Sequence, residues 1–221
     1  MRALGVGFVG VAADVRVQDD IERMVRAAFD AFGSLDVGVN NAGGDMGYVN
    51  DRGSLSTFDV TRDYFDAVVE LNLKTTFFAS QAFARAMIDQ GRGGSIVNIS
   101  SFQGYRASPG LPIYGAAKAA IAHLTQTMAY ELGPYGIRVN CVAPTYIESD
   151  RTKALPADRK RLATDAMPIR RTGEPRDLAA AVVFLASPLA SYYTGHHIIA
   201  DGGLSLTSAR PPILWTERGR P

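Results

Sequence analysis

Tyr114 and Lys118 are the residues of this 221-residue chain whose types and spacing best suit acid–base chemistry. Four positions apart in a helix, their side chains share one face about one turn apart. A phenol, with a pKa near ~10, is a poor acid–base catalyst at neutral pH. A neighbouring ammonium stabilises the phenolate and draws that pKa toward the working range. Spacing alone favours an ordinary surface pair. Context favours chemistry, because an apolar run ending in Ser100-Ser101 precedes the pair. A serine hydroxyl there would hydrogen-bond a substrate carbonyl oxygen as negative charge develops on it.

Positioning these groups requires strands and helices in alternation. Phe8 to Val15 (FVGVAADV) is small and β-branched enough for a strand. Ile21, Met24, Val25, Ala28, Phe29 and Phe32 then form one apolar helical stripe, with Asp19 near its start and Gly33 past its end. Leu35 to Val39 reads as a buried strand closed by Asn40-Asn41-Ala42-Gly43, and Tyr64 to Gln90 as one long helix. Ser95 to Ser101 is a strand. Pro112 to Leu132 is a helix with proline in its first turn and Gly133-Pro134 beyond its end. Arg138 to Ala143 (strand), Asp177 to Ala186 (helix) and His197 to Ala200 (strand) complete the pattern. Such alternation predicts a doubly wound parallel sheet covered on both faces. Its ligands gather beyond the carboxyl ends of the strands, where the polar clusters of this chain fall.

Composition excludes several other classes. Apolar residues are 47% and charged residues 20%, the balance of a soluble globular protein. With 23 Lys and Arg against 22 Asp and Glu, nothing electrostatic calls for nucleic acid or an anionic membrane as partner. One cysteine excludes an intrachain disulfide framework and suits a reducing compartment. No apolar run approaches the ~20 residues of a membrane span, and the first residues lack the layout of a secretion signal. A cytoplasmic α/β protein is expected, with residues 1–208 as the domain and 209–221 as an irregular tail. His196-His197 lack further ligands, so no metal site is expected. His123 suits packing or an interface, and Cys141 suits a small buried hydrophobe.

The motifs together resemble the short-chain dehydrogenase/reductase family over about residues 1 to 207. Tyr114-Gly-Ala-Ala-Lys118 matches its YxxxK element, with Ser101 thirteen residues before the tyrosine. Asn40-Asn41-Ala42-Gly43 matches its NNAG turn, Asn72 its central-helix asparagine, and Asp14-Val15 its adenine-side pair. RVNCVAP, GEPRDLAAAVVFLAS and TGHHIIADGG match its downstream blocks. The resemblance implies a Rossmann-type fold, NAD or NADP as cofactor, an alcohol or ketone as substrate, and a homotetramer or homodimer packed through the long helices. It implies Tyr114 as general acid/base, Lys118 as the group that lowers its pKa and holds the nicotinamide ribose, and Ser101 as the residue that polarises the carbonyl. Asn72 would hold a water linking Lys118 to solvent. Asp14, Val15, Asn40, Ala42 and Gly43 would line the adenosine half, and Ile147 and Ser149 the carboxamide end. The substrates it allows include a 3-oxoacyl thioester, a sugar or polyol, and a small cyclic ketone.

Two departures stand out. Pro144-Thr145 replaces the usual Pro-Gly, which implies altered backbone beside the nicotinamide. The family's TGxxxGxG loop has no counterpart, so the first two strands are expected to be missing from this chain and strand Phe8 to Ala13 to be separated from the next. Gly5-Val-Gly7-Phe-Val-Gly10 satisfies GxGxxG, but no strand precedes it and no helix opens after it, so it reads as accidental. A cofactor-free fragment acting in assembly is therefore a competing reading. A halohydrin dehalogenase-type lyase is disfavoured by Lys118, because those proteins have arginine there.

Overall fold

The computed structural model describes residues 5–45, 55–153 and 156–206. Helix α1 (Gln18–Phe32) ends at Gly33, whose left-handed φ of 74° lets its N–H close on the Phe29 carbonyl. Strand β1 (Val37–Asn40) follows. Next come helix α2 (Arg62–Val69), a π-helical turn (Glu70–Lys74) and helix α3 (Thr75–Gln90). Strand β2 (Gly94–Ile99), helix α4 (Pro112–Leu132) and strand β3 (Ile137–Pro144) carry the chain through the site. Helices α5 (Asp150–Lys153), α6 (Ala157–Ala166) and α7 (Pro175–Ala186) lead to strand β4 (His197–Ala200).

The four strands form one parallel sheet in the order β1-β2-β3-β4. Its register pairs Val39 with Val97, Asn98 with Cys141, and Val142 with Ile198. Because side chains alternate along a strand, the sheet buries two separate apolar layers. Ile96 and Val139 pack with Met87 of α3 and Met128 of α4, while Val97 and Val142 pack with Leu185 of α7. Helices on both faces of a parallel sheet make the doubly wound architecture expected from the sequence.

One expected element is not formed. Phe8 to Val15 makes no strand among the described residues. It runs beside α1 instead: the Arg23 guanidinium donates to the Ala12 carbonyl at 2.8 Å and the Asp14 N–H to the Asp20 carboxylate at 2.7 Å. A strand requires a hydrogen-bonding neighbour as well as a suitable composition, and none of the described strands lies beside this segment. No helix opens directly after Gly5 to Gly10 among the described residues, so it lacks the phosphate-binding context. The tail at 209–221 lies outside the described residues.

The long helix expected over Tyr64 to Gln90 also carries an unforeseen feature. The π-helical turn interrupts it, and Asn72 sits within that turn. Such turns commonly occur at functional sites because they re-aim side chains.

Candidate functional site

Helix α4 begins with Pro112 in its first turn, which places Tyr114 and Lys118 near the carboxyl ends of β2 and β3. Lys118 is only 4% exposed. Its ammonium donates to the Ile99 carbonyl at 3.0 Å and lies 5.5 Å from the centre of the Tyr114 ring. Burial lowers its pKa to about 8, because desolvation disfavours the charged form. It therefore remains mostly protonated at neutral pH while sitting over the phenol.

The two serines after β2 divide their duties. Ser100 Oγ donates to the Lys118 carbonyl at 2.7 Å and anchors α4 to the sheet. Ser101 Oγ accepts from the Gln103 N–H at 3.3 Å and lies 3.4 Å from Gln103 Oε1, a long contact that a substrate oxygen can replace. Gly104 holds this loop close to α4: a β-carbon there would sit 2.8 Å from the Lys118 carbonyl carbon and 2.9 Å from Ala119 N. Gly104→Ala is therefore expected to cost about 1–3 kcal/mol by overpacking. Urea denaturation checks this value, and the same variant should lose activity as Ser101 is displaced.

Asn72 is fully buried and grips the loop after β1. Its Nδ2 donates to the carbonyls of Gly44 and Val68, each at 2.8 Å, while Oδ1 accepts from the Gly44 N–H at 3.1 Å. The expected water-holding role is thereby narrowed: both amide hydrogens are engaged, leaving one lone pair on Oδ1. The side chain acts here as a loop clamp. Gly43 fits beside it because a β-carbon there would meet Asn72 Oδ1 at 2.8 Å and Lys118 Nζ at 3.1 Å. Asn72→Ala leaves buried backbone groups without partners, so a loss of about 1–3 kcal/mol is expected. Thermal unfolding measures it, and kcat/KM should fall with it.

The cleft that results has a volume of about 510 Å³. Ser101, Tyr114, Lys118, Gly43, Ile147 and Ser149 all line it, so the structure brings these sequence-predicted residues together. Ser149 Oγ accepts from the Thr152 N–H at 3.2 Å and caps α5, and the Ile147 carbonyl accepts from the Thr152 hydroxyl at 3.1 Å. A parallel bridge from Ile147 to Gly173 fixes this strip. Thr145 is not forced into glycine-only backbone, since Arg170 is the sole non-glycine residue with positive φ among the described residues. Its hydroxyl is buried with no hydrogen-bond partner among them.

Other expected residues lie apart from this cleft. Asn40 belongs to a buried network: its amide donates to Ser80 Oγ at 2.7 Å and to Asn98 Oδ1 at 2.8 Å, and Asn98 donates to Thr125 at 3.0 Å. Val15, Asn40 and Ala42 line a separate cavity of about 60 Å³. The Asp14 carboxylate pairs with Arg16 at 2.6 Å, and those hydrogen bonds hold its pKa down to about 2. Asp45, Gln103 and Thr152 also line the cleft; they fall within the loops expected from the sequence to line the substrate (Gly44 to Ser56, Phe102 to Pro112 and Tyr146 to Met167), though none was singled out by itself. Their position in loops and a short helix gave no periodicity to read. No cluster of three or more metal-ligating side chains occurs among the described residues. Among them, no helix is long and apolar enough to cross a membrane.

Comparison with known proteins agrees with this geometry. Residues 1–205 match the family model described as enoyl-(acyl carrier protein) reductase. The chain is 41% identical over 204 residues to L-rhamnose 1-dehydrogenase (NAD(P)(+)) of Azotobacter vinelandii, covering 91% of this chain and 77% of that protein. It is 38% identical over 203 residues to 2-dehydro-3-deoxy-D-gluconate 5-dehydrogenase of Escherichia coli, covering 91% and 78%. Among solved structures, a short-chain type dehydrogenase/reductase from Mycobacterium marinum superposes with a TM-score of 0.82 at 33% identity, over 93% of this chain and 78% of that one. A putative short-chain alcohol dehydrogenase from Sinorhizobium meliloti gives 0.79 at 36% identity, over 90% and 77%. With the family model matched over residues 1–205 and this similarity in sequence and in structure across most of its length, the chain belongs to the short-chain dehydrogenase/reductase family.

Proposed function

We propose that this protein is a cytoplasmic NAD(P)-dependent oxidoreductase that interconverts an alcohol and a ketone, with Tyr114 as its acid/base. The observation that carries the reading is the buried Lys118 ammonium 5.5 Å from the Tyr114 ring centre, in the cleft that Ser101 lines. The nicotinamide end of a dinucleotide suits the residues present. Gly43 leaves open the approach to Lys118, Ile147 and Ser149 form one wall, and Thr145 offers a hydroxyl without a partner. When bound, the nicotinamide supplies or accepts the hydride at the carbonyl carbon.

The chain's own residues handle the proton and the oxygen. In the oxidative direction Tyr114 Oη, as phenolate, takes the hydroxyl proton while the carbinol hydrogen leaves as hydride, and the C–O bond becomes a carbonyl. In reduction Tyr114 returns that proton to the oxygen. Lys118 stabilises the phenolate by charge, and Ser101 Oγ donates to the same substrate oxygen. Asn72 keeps the Gly43–Gly44 loop in place beside Lys118. Copies of the chain pack as a homodimer or homotetramer through α2, α3 and α4, which light scattering in solution tests.

The test is to supply NAD or NADP with a panel of secondary alcohols and to follow formation of reduced nicotinamide. Turnover with at least one cofactor supports the reading. The competing view, a cofactor-free fragment acting in assembly, draws on the separation of Asp14 and Val15 from the cleft. Equilibrium binding of NAD(H) or NADP(H) to the 221-residue chain decides between them: tight binding eliminates the assembly reading, and its absence eliminates the oxidoreductase.

A further inference from the structure

Thr145 follows β3 at the position where the family usually has glycine, and it lines the cleft with Tyr114, Lys118 and Ser101. Its hydroxyl is buried and has no hydrogen-bond partner among the described residues. A buried hydroxyl without a partner is unfavourable, so a ligand that satisfies it gains affinity. The neighbouring polar groups are already engaged. On the cleft side, the Ile147 carbonyl accepts from the Thr152 hydroxyl at 3.1 Å, and Ser149 Oγ accepts from the Thr152 N–H at 3.2 Å. On the other side Thr145 borders a second cavity of about 320 Å³, which Asp201, Arg171 and Asp177 also line. There the Asp201 carboxylate accepts from the N–H groups of Gly203 and Ser205, at 2.9 and 2.6 Å. Arg171 pairs with Asp177 at 2.6 Å. Neither side supplies Thr145 with a partner from among the described residues.

We infer that Thr145 holds the carboxamide of the nicotinamide, its hydroxyl oxygen accepting a hydrogen bond from the carboxamide N–H. This inference rests on the oxidoreductase reading above and deepens it. The family resemblance implied that hold for Ile147 and Ser149, whose carbonyl and hydroxyl each already carry a bond from Thr152. Those two residues then shape the wall, and Thr145 adds the acceptor. A carboxamide suits the position because its nitrogen carries two donors, and the threonine oxygen carries two lone pairs. Tethering the carboxamide restricts rotation of the ring about its bond to the ribose, which favours one orientation of the reacting carbon. Glycine, with no side chain, offers no such bond. The Thr145 backbone, for its part, has no positive φ that would demand glycine.

The experiment measures binding by calorimetry to the wild type, Thr145→Val and Thr145→Ser. The probes are NAD and NADP, their 3-acetylpyridine analogues, in which a methyl group replaces the amide nitrogen, and the matching ADP-riboses, which lack the nicotinamide. Thr145→Val should weaken binding of the preferred dinucleotide by about 5–20-fold and leave its ADP-ribose within about twofold. The wild type should bind the acetylpyridine analogue more weakly than the dinucleotide, whereas Thr145→Val should bind the two alike. Thr145→Ser, which keeps the hydroxyl, should stay within about threefold of the wild type. The free protein gives a second readout: Thr145→Val removes a buried hydroxyl without a partner, so its melting temperature should hold or rise. Unchanged dinucleotide affinity, an equal loss on ADP-ribose, or a lower melting temperature of free Thr145→Val overturns the inference while leaving the oxidoreductase reading intact. A wild type that binds neither dinucleotide overturns both readings together.

Discussion

Tyr114→Phe is expected to lower kcat by about 10²–10⁴-fold, the range for loss of a positioned acid/base. The substitution removes one oxygen and keeps the ring over which the Lys118 ammonium lies at 5.5 Å. Lys118 still donates to the Ile99 carbonyl, so the end of β2 and the start of α4 stay joined. Cofactor affinity should therefore change little, because the Lys118 ammonium and the Ile147–Ser149 wall that would bind it are untouched. Steady-state kinetics beside fluorescence titration of the reduced cofactor separates the two quantities. A variant that keeps wild-type turnover would remove Tyr114 from the chemistry.

Lys118→Met is expected to uncouple activity from stability. Loss of the ammonium leaves the phenolate without its charge partner, and kcat/KM should fall by about 100-fold or more. The folded protein, by contrast, bears a burden from the buried charge. Burial lowers the pKa of Lys118 from 10.5 to about 8. At roughly 1.4 kcal/mol per unit, that shift corresponds to about 3 kcal/mol of destabilisation below the folded pKa. Loss of the bond to the Ile99 carbonyl offsets part of the relief, by about 1–3 kcal/mol. The pH dependence is the cleaner signature. Between about 8 and 10.5 the unfolded chain still holds the lysine proton that the folded chain has released. Stability of the wild type should therefore rise relative to Lys118→Met as pH increases through that window. Parallel denaturation of both proteins from pH 7 to 10.5 measures the difference; the subtraction cancels the half-buried Tyr105, whose raised pKa acts in the opposite sense, while a Cys141→Ser background removes the thiol that is coupled to Lys118.

The sequence was most legible where local chemistry and tertiary structure agree. Helix Pro112–Leu132 and strand His197–Ala200 have the bounds that proline, glycine and β-branched residues indicate. Ser101, Tyr114 and Lys118 meet in one cleft because a strand end and a helix start fix them, and both elements announce themselves by periodicity. Phe8 to Val15 shows the limit of that logic. Its composition suits a strand, but composition cannot supply a neighbour to pair with. The π-helical turn at Asn72 was invisible for a different reason: its residues continue the helical pattern on both sides, and only the backbone hydrogen bonding distinguishes it. Asn40, expected beside a ligand, is engaged by Ser80 and Asn98 from other elements. Asp45 and Thr145 lie in loops, where no period marks which side chain turns inward.

The central claim, that this cleft transfers hydride between a substrate carbon and a nicotinamide, is tested most directly by isotope. The best alcohol of the panel, deuterated at its carbinol carbon, is incubated with the wild type and each oxidised cofactor, and the reduced nicotinamide is examined by NMR. The account predicts deuterium at C4 of the nicotinamide, matched by ketone formed. Ketone without label at C4, or no reduced nicotinamide with any alcohol and either cofactor, would contradict it.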